Sequence, residues 1–391
     1  MTILSDAFFT LDHWLSRHRQ WWDVQTFQQL DWPWRQTQPE FCEWLDGAEI
    51  NLSGVDWLLE HGGITPPPDT SWLREGSMAT SVMKFPPRMQ NGIKGRKWQQ
   101  IEAFCQHIRP AGATIEWCAG KGHLGKAIAH QFQVPVVSLE WQQSLCEEGQ
   151  HVAEQLQLPQ GFIHADVLKG EGDSTLANGH MAVALHACGD LHRVLIETGS
   201  ASKLPQFAIA PCCYHLTREE TYTPLSNVGR HAKTTLHRDN LKLAVKEVAT
   251  AGAREQRLRE LELTYRLGFD SWQREARDID EYLNIPSLPK QLLSQGFGAF
   301  CQWAIEQKQL PFSLNEAEID HYLTIGQQRR QQVARIEEIT QYFRRPLELW
   351  LVLDRALRLE EQGYQVQVKE FCDYALTPRN LLILAKEKTD K

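Results

Sequence analysis

The chain has 391 residues, a net charge of −8 and a hydrophobic share of 42%. That length leaves room for two domains, or one domain with large additions. The acidic balance argues against a basic coat for nonspecific nucleic-acid binding but leaves local basic patches open.

The nine cysteines follow no paired spacing, so reduced thiols and a cytoplasmic setting are expected. Asp6 and Asp12 stand where a signal peptide would be apolar, and no apolar run reaches membrane-spanning length.

Residues 1–80 are expected to form a helical cap. Eight of the fourteen tryptophans lie here, from Trp14 to Trp72, and rings of that size are usually buried. The alternative leaves some of them exposed to stack on bases. Residues 77–101 contain no acid and carry Lys84, Arg88, Lys94, Arg96 and Lys97. Such a local excess suits a phosphate backbone or a carboxylate, although charge runs are often only solvated. A helix is expected over Lys97–His107.

The run Ala113 to Gly125 opens as an apolar strand, turns at Gly120 and Gly122, and continues into a helix over Leu124–His130. A strand ending in glycines and feeding a helix leaves bare backbone N–H groups beside a small ligand. It reads as the loop for S-adenosylmethionine (SAM), with Glu116 at the strand end; the alternative is the glycine turn of an ordinary βα unit. Alternation then continues. Val134–Leu139 ends in Glu140, at the spacing where an acid binds ribose hydroxyls. Phe162–Val167 carries Asp166, suited to an adenine amino group. Met181–Leu185 runs into His186-Ala-Cys-Gly-Asp-Leu191, and Phe207–Ala210 into Pro211-Cys-Cys-Tyr-His215.

Residues 217–344 interrupt this rhythm with helical stripes and read as an insertion. Pro346–Glu361 is expected as a helix, since proline suits its first turn and Gly363 its stop. Two closing strands are expected at Gln365–Phe371 and Leu381–Ala385.

Together, Glu116-Trp-Cys-Ala-Gly-Lys-Gly-His-Leu-Gly125, Leu185-His-Ala-Cys-Gly-Asp-Leu191, Pro211-Cys-Cys-Tyr-His215 and Thr377-Pro-Arg-Asn380 resemble one branch of class I methyltransferases. That branch includes methyltransferase-like proteins with a Cys-Cys-Tyr-His signature and the methyltransferase part of the glutathione S-transferase C-terminal-domain-containing protein. More distantly, the motifs resemble tRNA ribose methyltransferases. The resemblance covers roughly residues 84–216 and 345–388. It implies an α/β, Rossmann-like, seven-stranded sheet, to which the residues outside the resemblance add a helical N-terminal cap and a helical insertion. The expected organisation is therefore a cap at 1–80, a core at 81–216, an insertion at 217–344 and the closing core at 345–391. The common first motif has glycine where this chain has Cys118, so the turn must accept a side chain.

The expected activity is SAM-dependent methyl transfer, with RNA as the favoured acceptor and a protein or small molecule as the alternative. Methyl transfer needs mainly alignment and, for some acceptors, removal of a proton. Glu116, Cys118, Gly120, Gly122, Leu124, Glu140, Asp166 and His186 are expected to hold SAM. His186, Asp190, Tyr214 and His215 are expected where the acceptor arrives. Lys84, Arg88, Lys94, Arg96, Lys97 and Arg379 are expected to bind substrate. A metal site at Cys188, Cys212, Cys213 and His215 is set aside: adjacent cysteines rarely reach one tetrahedral centre, and no Cys-x-x-Cys pair is present. A scaffold that keeps the fold without turnover is the remaining alternative.

Overall fold

The computed structural model describes residues 2–47, 56–74, 85–246 and 253–388, without the side chains of His186, Ala253 and Lys290. Two compact units emerge. The first holds residues 1–17, 67–246 and 344–391, and the second holds residues 18–66 and 247–343. This grouping differs from the expected segments. The first helix, Ile3–Arg17, and the last part of the expected cap, from residue 67, join the sheet unit, while residues 18–66 group with the later part of the expected insertion.

The sheet unit is mixed α/β. Its strands are β1 (Thr114–Trp117), β2 (Val136–Glu140), β3 (Gln160–His164), β4 (Met181–Cys188), β5 (Gln206–Cys212), β6 (Tyr364–Glu370) and β7 (Leu381–Glu387). They lie in the order β3-β2-β1-β4-β5-β7-β6. The first five are parallel, and β7 is antiparallel to both β5 and β6. Strand order reverses between β1 and β4, which creates the crevice where open α/β sheets take ligands at their carboxyl edge. Because β6 runs parallel to β5, the loop from β6 to β7 lies on that same edge.

The strands are short apolar runs covered by helices, as parallel strands must be. Phe104, Ile128, Val183 and Leu382 meet in one core beneath the sheet. The helix Arg344–Glu361 starts two residues before the proline that was expected to open it and stops before Gly363, which takes φ 89°. Its Asp354 is fully buried and accepts from Tyr222, from the Ser226 hydroxyl and from the backbone N–H groups of Leu225 and Ser226. These bonds fix the chain after β5. Asp12 does the same further along, accepting from the N–H groups of Lys233 and Thr234.

β3 falls earlier than expected, at Gln160–His164 rather than Phe162–Val167. Asp166 therefore lies beyond the strand and caps a short 3-10 turn.

In the second unit, the long helices Ala253–Arg277 and Glu316–Gln341 cross at Gly268 and Gly326. A β-carbon on Gly326 would lie 3.0 Å from the Gly268 nitrogen, so the backbones approach as only glycine permits. Buried Asp270 pairs with Arg274 and Arg329, and Arg329 also reaches the carbonyl of Phe27. The rings of the expected cap go inward: none of its eight tryptophans is in the exposed class, and Trp21 packs on Trp34 and Phe41.

Candidate active site at the carboxyl edge of the sheet

After β1 the chain makes three left-handed steps, Cys118 at φ 57°, Gly120 at φ 59° and Gly122 at φ 66°. The departure at Cys118 is accommodated by a conformation that costs a side-chain-bearing residue ~1–2 kcal/mol. A β-carbon at Gly120 would meet no atom within 4 Å, so that turn presents bare backbone to open space. Its N–H donates to Glu140 Oε2 at 2.8 Å. The other Glu140 oxygen accepts from the Gln142 N–H at 3.0 Å. Trp141, the next residue, is 64% exposed. It offers a flat apolar face at the strand end, and the sequence reading did not single it out.

Glu116 lies beneath the loop rather than in the cleft. It is 3% exposed, and its Oε2 accepts from Ser138 at 2.6 Å. The N–H groups of Leu124 and Gly125 also donate to it, and burial pushes its carboxyl up to about 7 against those hydrogen bonds. Gln160 completes the layer by donating to the Ser138 hydroxyl and the Gly122 carbonyl. The β1–β2 register sets Glu116 directly beside Ser138. Glu116 and Leu124, both expected at the cofactor, support the loop in this layer: Leu124 is buried in the core, and its N–H goes to Glu116. Ser138 and Gln160 were missed, although a serine inside an apolar strand was a visible signal.

Asp166 accepts from the Leu168 N–H and pairs with Lys169, which holds its carboxyl below the usual range. Across the crevice, Trp117 donates its indole N–H to the Leu191 carbonyl at 2.9 Å, tying β1 to the first turn of the helix after β4. Asp190 opens the helix Asp190–Ala201 and accepts from the Arg218 N–H, in the segment after β5, at 3.0 Å.

Tyr214 does not face an acceptor. It is 2% exposed, its hydroxyl donates to the Pro211 carbonyl, and the Arg355 guanidinium lies over its ring. Burial lifts its phenol well above the usual range. The side chain after left-handed Cys213 turns into the core, which periodicity in the sequence did not reveal. His215 remains half-buried on the edge, with an Nδ1 that is buried and makes no hydrogen bond. His186 lies in β4, and its side chain is outside the described part.

Among the expected substrate residues, Arg88, Lys94, Arg96 and Lys97 are exposed; Lys84 lies outside the described residues. Lys94 caps the helix Gly95–Gln106, whose first turn holds Arg96 and Lys97 and no acid. Positive charge there adds to the positive end of the helix dipole. Lys97 is close enough to the loop to act on Glu116 and His123. Arg379, in the β6–β7 loop, acts on the Cys188 and Cys213 thiols at the ends of β4 and β5.

Residues 96–220 match a family model described as a methyltransferase domain. Two relatives are both named glutathione S-transferase C-terminal domain-containing protein. The one from Xenopus laevis is 25% identical over 181 residues, covering 44% of this chain and 28% of the relative. The one from Mus musculus is 24% identical over 196 residues, covering 48% and 30%. The chain thus spans less than a third of the curated relatives it matches.

Among solved structures, the cyclopropane synthase MmaA2 from Mycobacterium tuberculosis is similar at a TM-score of 0.24 and 12% identity, covering 74% of this chain and 84% of that one. YjhP from E. coli gives 0.25 and 11%, covering 81% and 99%. No described helix is long and apolar enough to cross a membrane. Over residues 96–220, then, the likeness is to a methyltransferase domain.

Proposed function

We propose that the chain is a class I, SAM-dependent methyltransferase acting on RNA, in a cytoplasmic setting. The observation that carries the cofactor reading is the bond from the Gly120 N–H to Glu140. It sets a bare glycine turn and a carboxylate side by side at the crevice between strand ends, where a nucleoside-bearing cofactor fits. Gly120 and Gly122 give backbone to the methionine end. Glu140 has lone pairs left for ribose hydroxyls, Trp141 lies flat against the base, and Asp166 accepts from its amino group. When bound, SAM supplies a methyl group activated by its sulfonium.

The chain's own residues then align the acceptor. In this reading His215 takes the proton of a hydroxyl acceptor, and Arg379 holds negative charge beside it. Lys94, Arg96 and Lys97 track a phosphate backbone, which their uncompensated position at a helix start favours. The test is transfer of labelled methyl from SAM to fractionated RNA, protein and small-molecule pools. Label in RNA supports the reading. Label confined to protein or small molecules favours the alternative acceptor, and no label anywhere favours a scaffold.

A further inference from the structure

Two backbone irregularities bring three sulfurs together. β4 and β5 pair in register up to Leu185 opposite Ala210, yet the next pair is Cys188 opposite Cys212. Three steps on β4 thus match two on β5, so one extra residue is accommodated as a bulge. Without it Ala187 would face Cys212. The second irregularity is Cys213, which takes φ 49°. In a continuing strand its side chain would point away from that of Cys212; the left-handed step breaks the alternation. The Cys188 and Cys212 sulfurs lie 3.6 Å apart, and all three sulfurs lie within 4.8 Å of one another.

Cysteines that only fill space behave as small hydrophobes and require neither irregularity. Strained backbone that persists at a cluster of ligating groups marks a functional constraint.

We propose that Cys188, Cys212 and Cys213 bind a zinc ion at the carboxyl edge of the sheet. Three thiols converging from two adjacent strands suit a thiophilic ion held tetrahedrally. Among the described residues no fourth ligand atom joins the cluster; a fourth ligand, from the protein or from solvent, would complete the tetrahedron. Binding deprotonates the thiols, their protons pass to solvent, and the resulting site carries one net negative charge. The ion would staple the ends of β4 and β5 beside the crevice. The proposal does not depend on the methyltransferase reading, because its test reads metal binding alone.

The test uses the full chain, reduced and then stripped with a chelator. Titration with cobalt(II) is expected to raise a thiolate-to-metal charge-transfer band that saturates at one equivalent and is displaced by zinc. Cys213→Ser and Cys188→Ser, both at half-buried positions, are expected to weaken binding by more than about a hundredfold, beyond the loss of an outer-shell partner. Cys146→Ser, outside the cluster, should leave it unchanged. Circular dichroism checks the fold of each variant.

A second readout needs no variant: zinc should protect thiols from alkylation, and peptide mapping should place the protection at Cys188, Cys212 and Cys213. No band from folded, reduced protein would overturn the proposal. So would a band that survives both variants, protection mapped to other cysteines, or a Cys188–Cys212 disulfide that persists under reduction in place of metal.

Discussion

The backbone N–H of Gly120 donates to Glu140 Oε2 at 2.8 Å, joining the turn after β1 to the end of β2. One carboxylate therefore shapes the glycine turn and stands at the strand end where the proposed function puts the ribose hydroxyls. Glu140→Ala should weaken SAM binding and lower stability by about 1.5–3 kcal/mol, the range for a hydrogen bond to a charged group. Glu140→Gln keeps one acceptor oxygen and should lose less. Calorimetry and thermal unfolding of the two variants check this, and an alanine variant with unchanged affinity would separate Glu140 from the cofactor.

Glu116 predicts a pH dependence. Its carboxyl is raised from the ordinary 4.5 to about 7, chiefly by burial. The folded state thus holds the proton more tightly than the unfolded chain. The associated stability is complete below 4.5 and is lost as the pH rises through about 7. Relative to Glu116→Gln, the wild type should lose about 3 kcal/mol across that window and then level off. Denaturant unfolding at a series of pH values measures it. A flat difference, or one of the opposite slope, would contradict the buried, partly protonated state.

Gly120 in the loop and Gly125 in the first turn of the helix that follows it, His123–Phe132, should respond differently to alanine. At Gly120 nothing lies within 4 Å of the added carbon, and the cost is that of φ +59° alone, about 1–2 kcal/mol. At Gly125 the carbon would meet the Glu116 carboxylate, and it would approach Gln160 Nε2 at 2.7 Å and Ser138 Oγ at 2.9 Å. Overpacking of that kind costs about 1–3 kcal/mol and disturbs the layer that supports the loop. Gly125→Ala should therefore show altered pH dependence as well as lower stability, and Gly120→Ala only the latter.

The sequence reading reached some of this site but not all of it. Gly120, Gly122 and Glu140 were legible because their spacing encodes a turn and a strand end, both local properties. The burial of Glu116 and Tyr214 is not legible locally, because it is set by partners distant in sequence: Ser138 for one, Arg355 for the other. A metal site at Cys188, Cys212, Cys213 and His215 has no Cys-x-x-Cys spacing to announce it, and adjacent cysteines rarely reach one centre; the β4 bulge and left-handed Cys213 that bring the three sulfurs together leave no local signal. The pairing of residues 18–66 with 247–343 had no local signal either, since bonds such as that from Arg329 to the Phe27 carbonyl span most of the chain.

The basic stretch carries the RNA prediction. Lys94, Arg96 and Lys97 are exposed and unfavourably placed for the helix they open. Replacing all three with alanine should leave stability unchanged or slightly higher. RNA binding should weaken and its salt dependence flatten, with a slope reduced by up to about 3 if each contacts one phosphate. Filter binding across a salt series checks this; unchanged RNA affinity would remove RNA from the proposal.

The most direct test of the central claim is calorimetric titration of the purified chain with SAM, alongside Gly120→Arg. The variant places a long side chain in the open space beside the turn and leaves the Glu116–Ser138–Gln160 layer untouched. The account predicts saturable binding by the wild type and none by the variant, with both folded by circular dichroism. A folded wild type that binds no SAM, or a variant that binds it equally well, would contradict the cofactor site.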